Sequence, residues 1–213
     1  MAAELVSDGL RLIPGFLDRA AQERLRDAVA EVVAQAPLYQ PVMPRSGRPF
    51  SVRMTNAGPL GWVSDRAGYR YQAHHPETGA PWPAMPSEAL EAWRAVSGYG
   101  AEPECCLINV YAAARARMGL HRDEDEDDLA APVVSISLGD TALFRIGGAE
   151  RKGPTRSFRL ASGDVLVLAG PSRHFYHGVD RVMPETSTLF PEGGRINLTM
   201  RRVRVPEEDR HAG

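Results

Sequence analysis

Lysine is nearly missing from this 213-residue chain: of its 25 basic residues, only Lys152 is not arginine. The bias runs the length of the chain, so no single arginine is informative by type alone. Cysteine is equally scarce. Cys105 and Cys106 are adjacent within an apolar run, where neighbouring strand residues face opposite ways, so a bond between them would be strained and reduced structural thiols are expected. No stretch of 18 or more apolar residues occurs, and residues 1–8 lack the basic start and apolar core of a secretory signal. A cytoplasmic protein with no membrane partner is expected. Net charge is also small, −2 with a pI near 6.3, which argues against a protein that coats nucleic acid through its overall field. There is no internal repeat, and the one biased segment is the acidic run 123–128.

What is present is enough for a folded core. A hydrophobic content of 43% over this length can bury a full core, and one unit spanning 1–213 is expected. Charge is uneven along it: residues 38–73 carry five arginines (45, 48, 53, 66 and 70) against the single acid Asp65, a patch able to meet phosphates or simply to lie solvated. Residues 39–86 are rich in Pro, Gly, Arg and aromatics with only short strand-like pieces, and Trp62, Tyr69, Tyr71 and Trp82 argue against disorder there.

Two helices are predicted. Asp18 can cap one whose apolar positions (Ala21, Leu25, Val29, Val32, Val33, Ala36) follow a helical period up to Pro37, and Ser87 can cap a second that runs through Leu90, Trp93 and Val96. After residue 104 the pattern changes to short strands, at 105–111, 133–138, 141–146, 156–160, 164–169, 176–180 and 195–203, separated by Gly-Asp, Gly-Gly and Ser-Gly-Asp turns. Short strands at that spacing imply a sandwich or barrel.

The chemistry centres on His121-Arg122-Asp123. A spacing of two points both ligand-type side chains to one face of an extended segment. His177, in Phe175-Tyr176-His177-Gly178, is a candidate third ligand. Two histidines and one carboxylate leave vacant positions suited to non-haem Fe(II) oxygenases, although catalytic zinc uses the same residue types and these ligands alone do not exclude a hydrolase. The segment 195–201 alternates as a strand and places Arg195, Asn197, Thr199 and Arg201 on one face. A surface strand could carry both arginines solvated, but on an inward face they require anions, and a dicarboxylate pocket beside an iron site satisfies that.

These residues, together with Leu107-Ile108-Asn109-Val110-Tyr111, Met54-Thr55-Asn56, Leu60-Gly61-Trp62, Gly68-Tyr69-Arg70-Tyr71 and 81–86, closely resemble the bacterial AlkB family of Fe(II)/2-oxoglutarate-dependent nucleic-acid dioxygenases over roughly 10–203. The resemblance implies an α+β protein built on a double-stranded β-helix, or jelly roll (about 104–203). N-terminal helices would brace it, and a nucleotide-recognition lid (about 38–86) would cover it. It implies Fe(II) on His121, Asp123 and His177, with 2-oxoglutarate and dioxygen as co-substrates. Arg195 would take the distal carboxylate of 2-oxoglutarate with Tyr111 and Asn197, and Asn109 and Arg201 would hold the end nearer the iron. Trp62 would stack on a flipped base, Tyr69 and Tyr71 would bind the neighbouring phosphate, and Arg151 would lie at the far lip. The chain departs from the family pattern at Ile196, where an aromatic is common.

The activity so implied is oxidative demethylation of N1-methyladenine and N3-methylcytosine, coupled to decarboxylation of 2-oxoglutarate to succinate, with release of formaldehyde: direct repair of alkylation damage. The expected partner is alkylated DNA, single- or double-stranded, with RNA a second candidate, and a monomer is expected. Two other classes compete: the same enzyme chemistry on a protein or small molecule, and a metal-binding jelly roll that recognises damage without catalysis. The Arg- and aromatic-rich region argues against the first and retention of both arginines against the second. Asp125, two beyond Asp123, would project to the metal side and favour cationic lesions. As simple surface acid it would continue the solvated run to Asp128. His74 and His75 are expected to be exposed loop residues, and His174 to lie outside the ligand set.

Overall fold

The strand signals after residue 104 form two sheets with an apolar layer between them. The computed structural model describes residues 4–112 and 116–207. In chain order the elements are β1 (Glu4–Ser7), β2 (Leu10–Ile13), α1 (Arg19–Gln35), β3 (Arg53–Ala57), β4 (Gly61–Asp65), β5 (Gly68–Gln72), α2 (Ser87–Val96), β6 (Cys105–Tyr111), β7 (Met118–His121), β8 (Val133–Gly139), β9 (Ala142–Ile146), β10 (Arg156–Leu160), β11 (Val165–Leu168), a 3-10 turn (Gly170–His174), β12 (His177–Val182) and β13 (Arg195–Arg201). Among the described residues, the larger sheet runs β1-β2-β11-β8-β13-β6-β3 and the smaller β10-β9-β12-β7, while β4 and β5 form a separate hairpin. Every strand pairing among the described residues is antiparallel. This is the jelly roll that the family resemblance implied, and a form of the sandwich that the strand spacing implied. The larger sheet also recruits strands from outside 104–203, with β2 against β11 and β3 against β6.

Strand alternation divides the apolar residues into two cores. Leu107, Tyr111, Phe144, Ile146, Leu166 and Val179 fill the space between the sheets. On the other face of the larger sheet, Ile108, Val134, Ile136, Leu198 and Met200 pack against Leu25, Val29 and Val32 of α1 and Trp93 and Val96 of α2. The two helices therefore cover one side of the sheet, leaving its other side for the site. Cys105 and Cys106 fall into different cores and are free thiols, as adjacent strand residues must.

Asp18 caps α1 as predicted, its Oδ1 accepting from the Ala21 backbone at 2.8 Å, a contact of the kind that contributes about 1 kcal/mol. Ser87 does not cap α2. It is the first helical residue, Pro86 precedes it in an extended conformation, and the Ser87 hydroxyl donates to Glu88 instead.

Candidate metal centre

Register does most of the assembly. His177 of β12 pairs directly with His121 of β7, which sets their ring centroids 4.6 Å apart, and Asp123 follows two residues after His121. The Nε2 atoms of both histidines lie 3.8 Å from the Asp123 carboxylate, one facing each oxygen. All three ligand atoms fall within 4.8 Å of one another. Each imidazole also places Nδ1 on a backbone carbonyl, Gly119 at 2.9 Å for His121 and Phe175 at 3.0 Å for His177. That contact fixes the proton on Nδ1 and leaves Nε2 bare for a metal.

Electrostatics agree with this ligand set. Burial, reinforced by His121, pushes the His177 imidazole down to about 4, so it is neutral at neutral pH. Burial alone would raise the Asp123 carboxyl, but Arg201, His177 and His121 outweigh it and hold it well below the usual carboxylate range. His174 is exposed in the 3-10 turn and takes no part.

Beside the triad, β13 carries the arginines. Arg195 is 1% exposed and lies opposite Tyr111, with Asn197 opposite Asn109. Its contacts are Ser137 Oγ at 2.9 Å and two carbonyls at 3.4 Å. No carboxylate among the described residues forms an ion pair with it, its Nε has no partner, and burial pushes the guanidinium down to about 10. Arg201 donates through Nη2 to Asp123 Oδ1 at 2.9 Å and faces Glu126 at 3.3 Å, while its Nη1 is unsatisfied. Among the described residues, Asn109 Oδ1 and Asp123 Oδ2 are further buried atoms without a hydrogen-bond partner. Buried polar atoms are normally satisfied. A divalent metal and a dicarboxylate would satisfy this set: oxygen and bare nitrogen face the metal, and two arginines face the anion. Asn197 shares the strand face, but its amide donates to Ser135 and Ile136 and its oxygen accepts from Thr199, so it braces the pocket without a free donor.

The β4–β5 hairpin brings the nucleobase candidates to the same region. Trp62 is half-buried and pinned: its backbone bonds Asn56 and the Tyr39 hydroxyl, and its indole N–H donates to Asp125 Oδ2 at 2.8 Å. Tyr69, 45% exposed, stacks on it at 5.5 Å and 19°. Gly61 has a packing role: a Cβ there would come within 2.4 Å of the buried Trp82 ring. Tyr71 differs from its expected phosphate role, because its hydroxyl points inward and donates to buried Glu126. Arg151 and Arg122 both lie over the Tyr176 ring, at 5.8 and 5.6 Å. Of the basic patch, Arg70 pairs with Asp65, whereas Arg45, Arg48 and Arg66 are exposed and form no ion pair among the described residues.

Several functional-looking residues were not visible in the sequence. Glu126 and Arg173 form an ion pair at 2.9 Å that is almost wholly buried. Asp128 is also buried, taking the Tyr99 hydroxyl at 2.6 Å, so the acidic run is only half solvated: Asp123, Glu126 and Asp128 are buried, and Glu124, Asp125 and Asp127 are exposed. His75, expected to be exposed, is 1% exposed: its Nδ1 accepts from two backbone amides, its Nε2 faces the Pro37 carbonyl at 2.7 Å, and its ring packs on Tyr39 and Trp82.

The sequence matches the 2OG-Fe(II) oxygenase superfamily over residues 9–201. It is 54% identical over 200 residues to the alpha-ketoglutarate-dependent dioxygenase AlkB homolog of Caulobacter vibrioides, covering 94% of this chain and 90% of that protein. It is 41% identical over 204 residues to the alpha-ketoglutarate-dependent dioxygenase AlkB of Escherichia coli, covering 94% and 93%. The fold is similar to the solved structure of OsALKBH1, with a TM-score of 0.77 and 29% identity over 94% of this chain and 100% of that one. Because likeness in sequence and in fold both run nearly the full length of the chain, it belongs to the 2OG-Fe(II) oxygenase superfamily and, within it, to the AlkB family of Fe(II)/2-oxoglutarate-dependent dioxygenases.

Proposed function

We propose that this protein removes N-methyl groups from alkylated bases in DNA, chiefly N1-methyladenine and N3-methylcytosine, with RNA as a second substrate. The observation that carries the co-substrate half of this reading is Arg195, a buried guanidinium that forms no ion pair among the described residues, on the same strand face as Arg201 and beside the triad. His121, Asp123 and His177 would hold Fe(II). Arg195 and Tyr111 would take one end of 2-oxoglutarate, and Arg201 and Asn109 the other. Bound there, the metal with 2-oxoglutarate and dioxygen supplies an oxidant able to hydroxylate an N-methyl carbon, giving a carbinolamine that releases formaldehyde without a hydrolytic residue.

The chain's own residues have separate tasks. The Nδ1 contacts of His121 and His177 keep both imidazoles in the ligating tautomer. Arg201 orients the Asp123 carboxylate. A base inside a duplex cannot reach the metal, so the target must be unpaired or flipped out. Trp62 already accepts a flat aromatic partner in Tyr69, the contact a flipped base would make. Asp125 gives one oxygen to the Trp62 indole, leaving the other for the exocyclic amine of a cationic base. Exposed Arg45, Arg48 and Arg66 suit the phosphates of the strand. The lid role of residues 38–86 belongs to the same proposal.

The test is to incubate the protein with Fe(II), 2-oxoglutarate and methylated oligonucleotides. Loss of one methylene of mass together with succinate is expected. Turnover of 2-oxoglutarate stimulated by peptides or small molecules, with every oligonucleotide unchanged, would assign the substrate to another class.

A further inference from the structure

The acidic run holds a residue that this chemistry has not yet used. Trp62 and Tyr71 face each other across the β4–β5 hairpin, and they donate to consecutive carboxylates, the indole to Asp125 and the phenol to Glu126. Asp125 is exposed, but the Glu126 side chain is 1% exposed. Its Oε2 accepts from Arg173 at 2.9 Å, and its Oε1 lies 3.3 Å from Arg201 Nε. Both arginines continue to Asp123: Arg173 donates to its backbone carbonyl at 2.6 Å, and Arg201 to its carboxylate. Arg173 is also tied to the Ala131 carbonyl, and its own segment leads directly into His177. From the Tyr71 hydroxyl, then, two closed routes of hydrogen bonds and ion pairs reach the carboxylate ligand.

We infer that Glu126 is a positioning residue: it sets the distance between the hairpin that would receive the base and the metal centre, through Tyr71 on one side and Arg173 and Arg201 on the other. This rests on the demethylase reading above. A buried quartet of two carboxylates and two arginines is costly to desolvate, and apolar packing of similar volume would stabilise the fold as well. What the quartet provides is directional contacts that define one geometry. Transfer of a hydrogen to an oxidant is intolerant of misplacement, and an error of about 1 Å can reduce rate by roughly a hundredfold.

In coupled turnover, 2-oxoglutarate, dioxygen and the N-methyl base give succinate, carbon dioxide, formaldehyde and the free base, so succinate and formaldehyde form one to one. If the hairpin shifts, the two-electron oxidant is reduced by another donor such as ascorbate. Succinate then exceeds formaldehyde.

Y71F removes one hydroxyl and leaves the Glu126 arginine contacts in place; E126Q keeps the shape and removes the charge. Formation of the anaerobic Fe(II)/2-oxoglutarate charge-transfer band in each variant verifies an assembled site. In that complex, hydrogen exchange of residues 61–72 is expected to accelerate roughly fivefold in Y71F, the worth of one hydrogen bond, with β6 and β13 unaffected. With saturating methylated oligonucleotide and ascorbate, the succinate to formaldehyde ratio is expected to rise severalfold in both variants. Wild-type exchange in Y71F would overturn the inference. So would a ratio that stays at one while only KM rises, the signature of a purely structural contact. Wild-type protein that yields no formaldehyde would count against the demethylase reading instead, and the exchange comparison would still decide the role of Glu126.

Discussion

Replacing Arg195 with methionine separates co-substrate binding from folding. In the free protein this guanidinium is buried with no ion pair among the described residues, and its displacement down to about 10 corresponds to roughly 3 kcal/mol of unfavourable burial. Methionine fills similar volume and removes that cost, while Ser137 Oγ loses its donor at a cost of about 1 kcal/mol. Stability of the free protein should therefore hold or rise. Binding of 2-oxoglutarate should behave oppositely, because its distal carboxylate would enter a dry pocket with no cation. Loss of such a partner costs about 2–5 kcal/mol, a fall in affinity of at least about thirtyfold. The assay is an anaerobic titration of 2-oxoglutarate into the Fe(II)-loaded variant followed by the charge-transfer band, alongside thermal melts of the free protein. An unchanged half-saturating concentration would refute the pocket assignment. A large drop in Tm would show that Arg195 serves the fold.

Further outcomes follow from the same geometry. His177→Ala should abolish the charge-transfer band and His174→Ala should leave it intact; absorbance spectra of the two variants check this, and the reverse result would move the third ligand. Stability of the metal-free protein should fall on acidification from about pH 6.5 to 4, because across that window the unfolded chain binds a proton that buried His177, with its pKa near 4, does not; the loss is about 3 kcal/mol, and His177→Gln should flatten that part of the melting-temperature profile. Asp125→Ala should retain the band but lose more activity on cationic N1-methyladenine than on neutral N3-methylthymine, measured by formaldehyde release, and equal losses would remove the electrostatic role.

The sequence made the ligand types legible because their spacing is local. His121 and Asp123 are two apart, and the alternation of 195–201 sends Ile196, Leu198 and Met200 to the helices and the polar residues to the site. What could not be read was set by non-local register. The strand β7 is only four residues long, too short for its Met118/Leu120 alternation to signal a strand, yet its pairing with β12 brings His121 against His177 across 56 positions. Glu126 and Asp128 lie in a run of six acids whose composition signals solvent, and they are buried only because Tyr71, Tyr99 and Arg173 arrive from distant segments to satisfy them. His75 hides a structural role for the same reason, since its partner carbonyl lies 38 residues away. Tyr71 had the residue type expected for phosphate binding, but the hairpin turns its hydroxyl inward.

The most direct test of oxidative demethylation follows the methyl carbon itself. An oligonucleotide carrying N1-(trideuteromethyl)adenine is incubated with the Fe(II)-loaded protein, 2-oxoglutarate and dioxygen, and the one-carbon product is trapped and weighed. Oxidation at carbon predicts formaldehyde retaining two deuterons, one molecule for each succinate, with unmodified adenine left in the strand. Trideuteromethanol, the product of hydrolysis at an intact methyl group, or an oligonucleotide unchanged after succinate has accumulated, would contradict it.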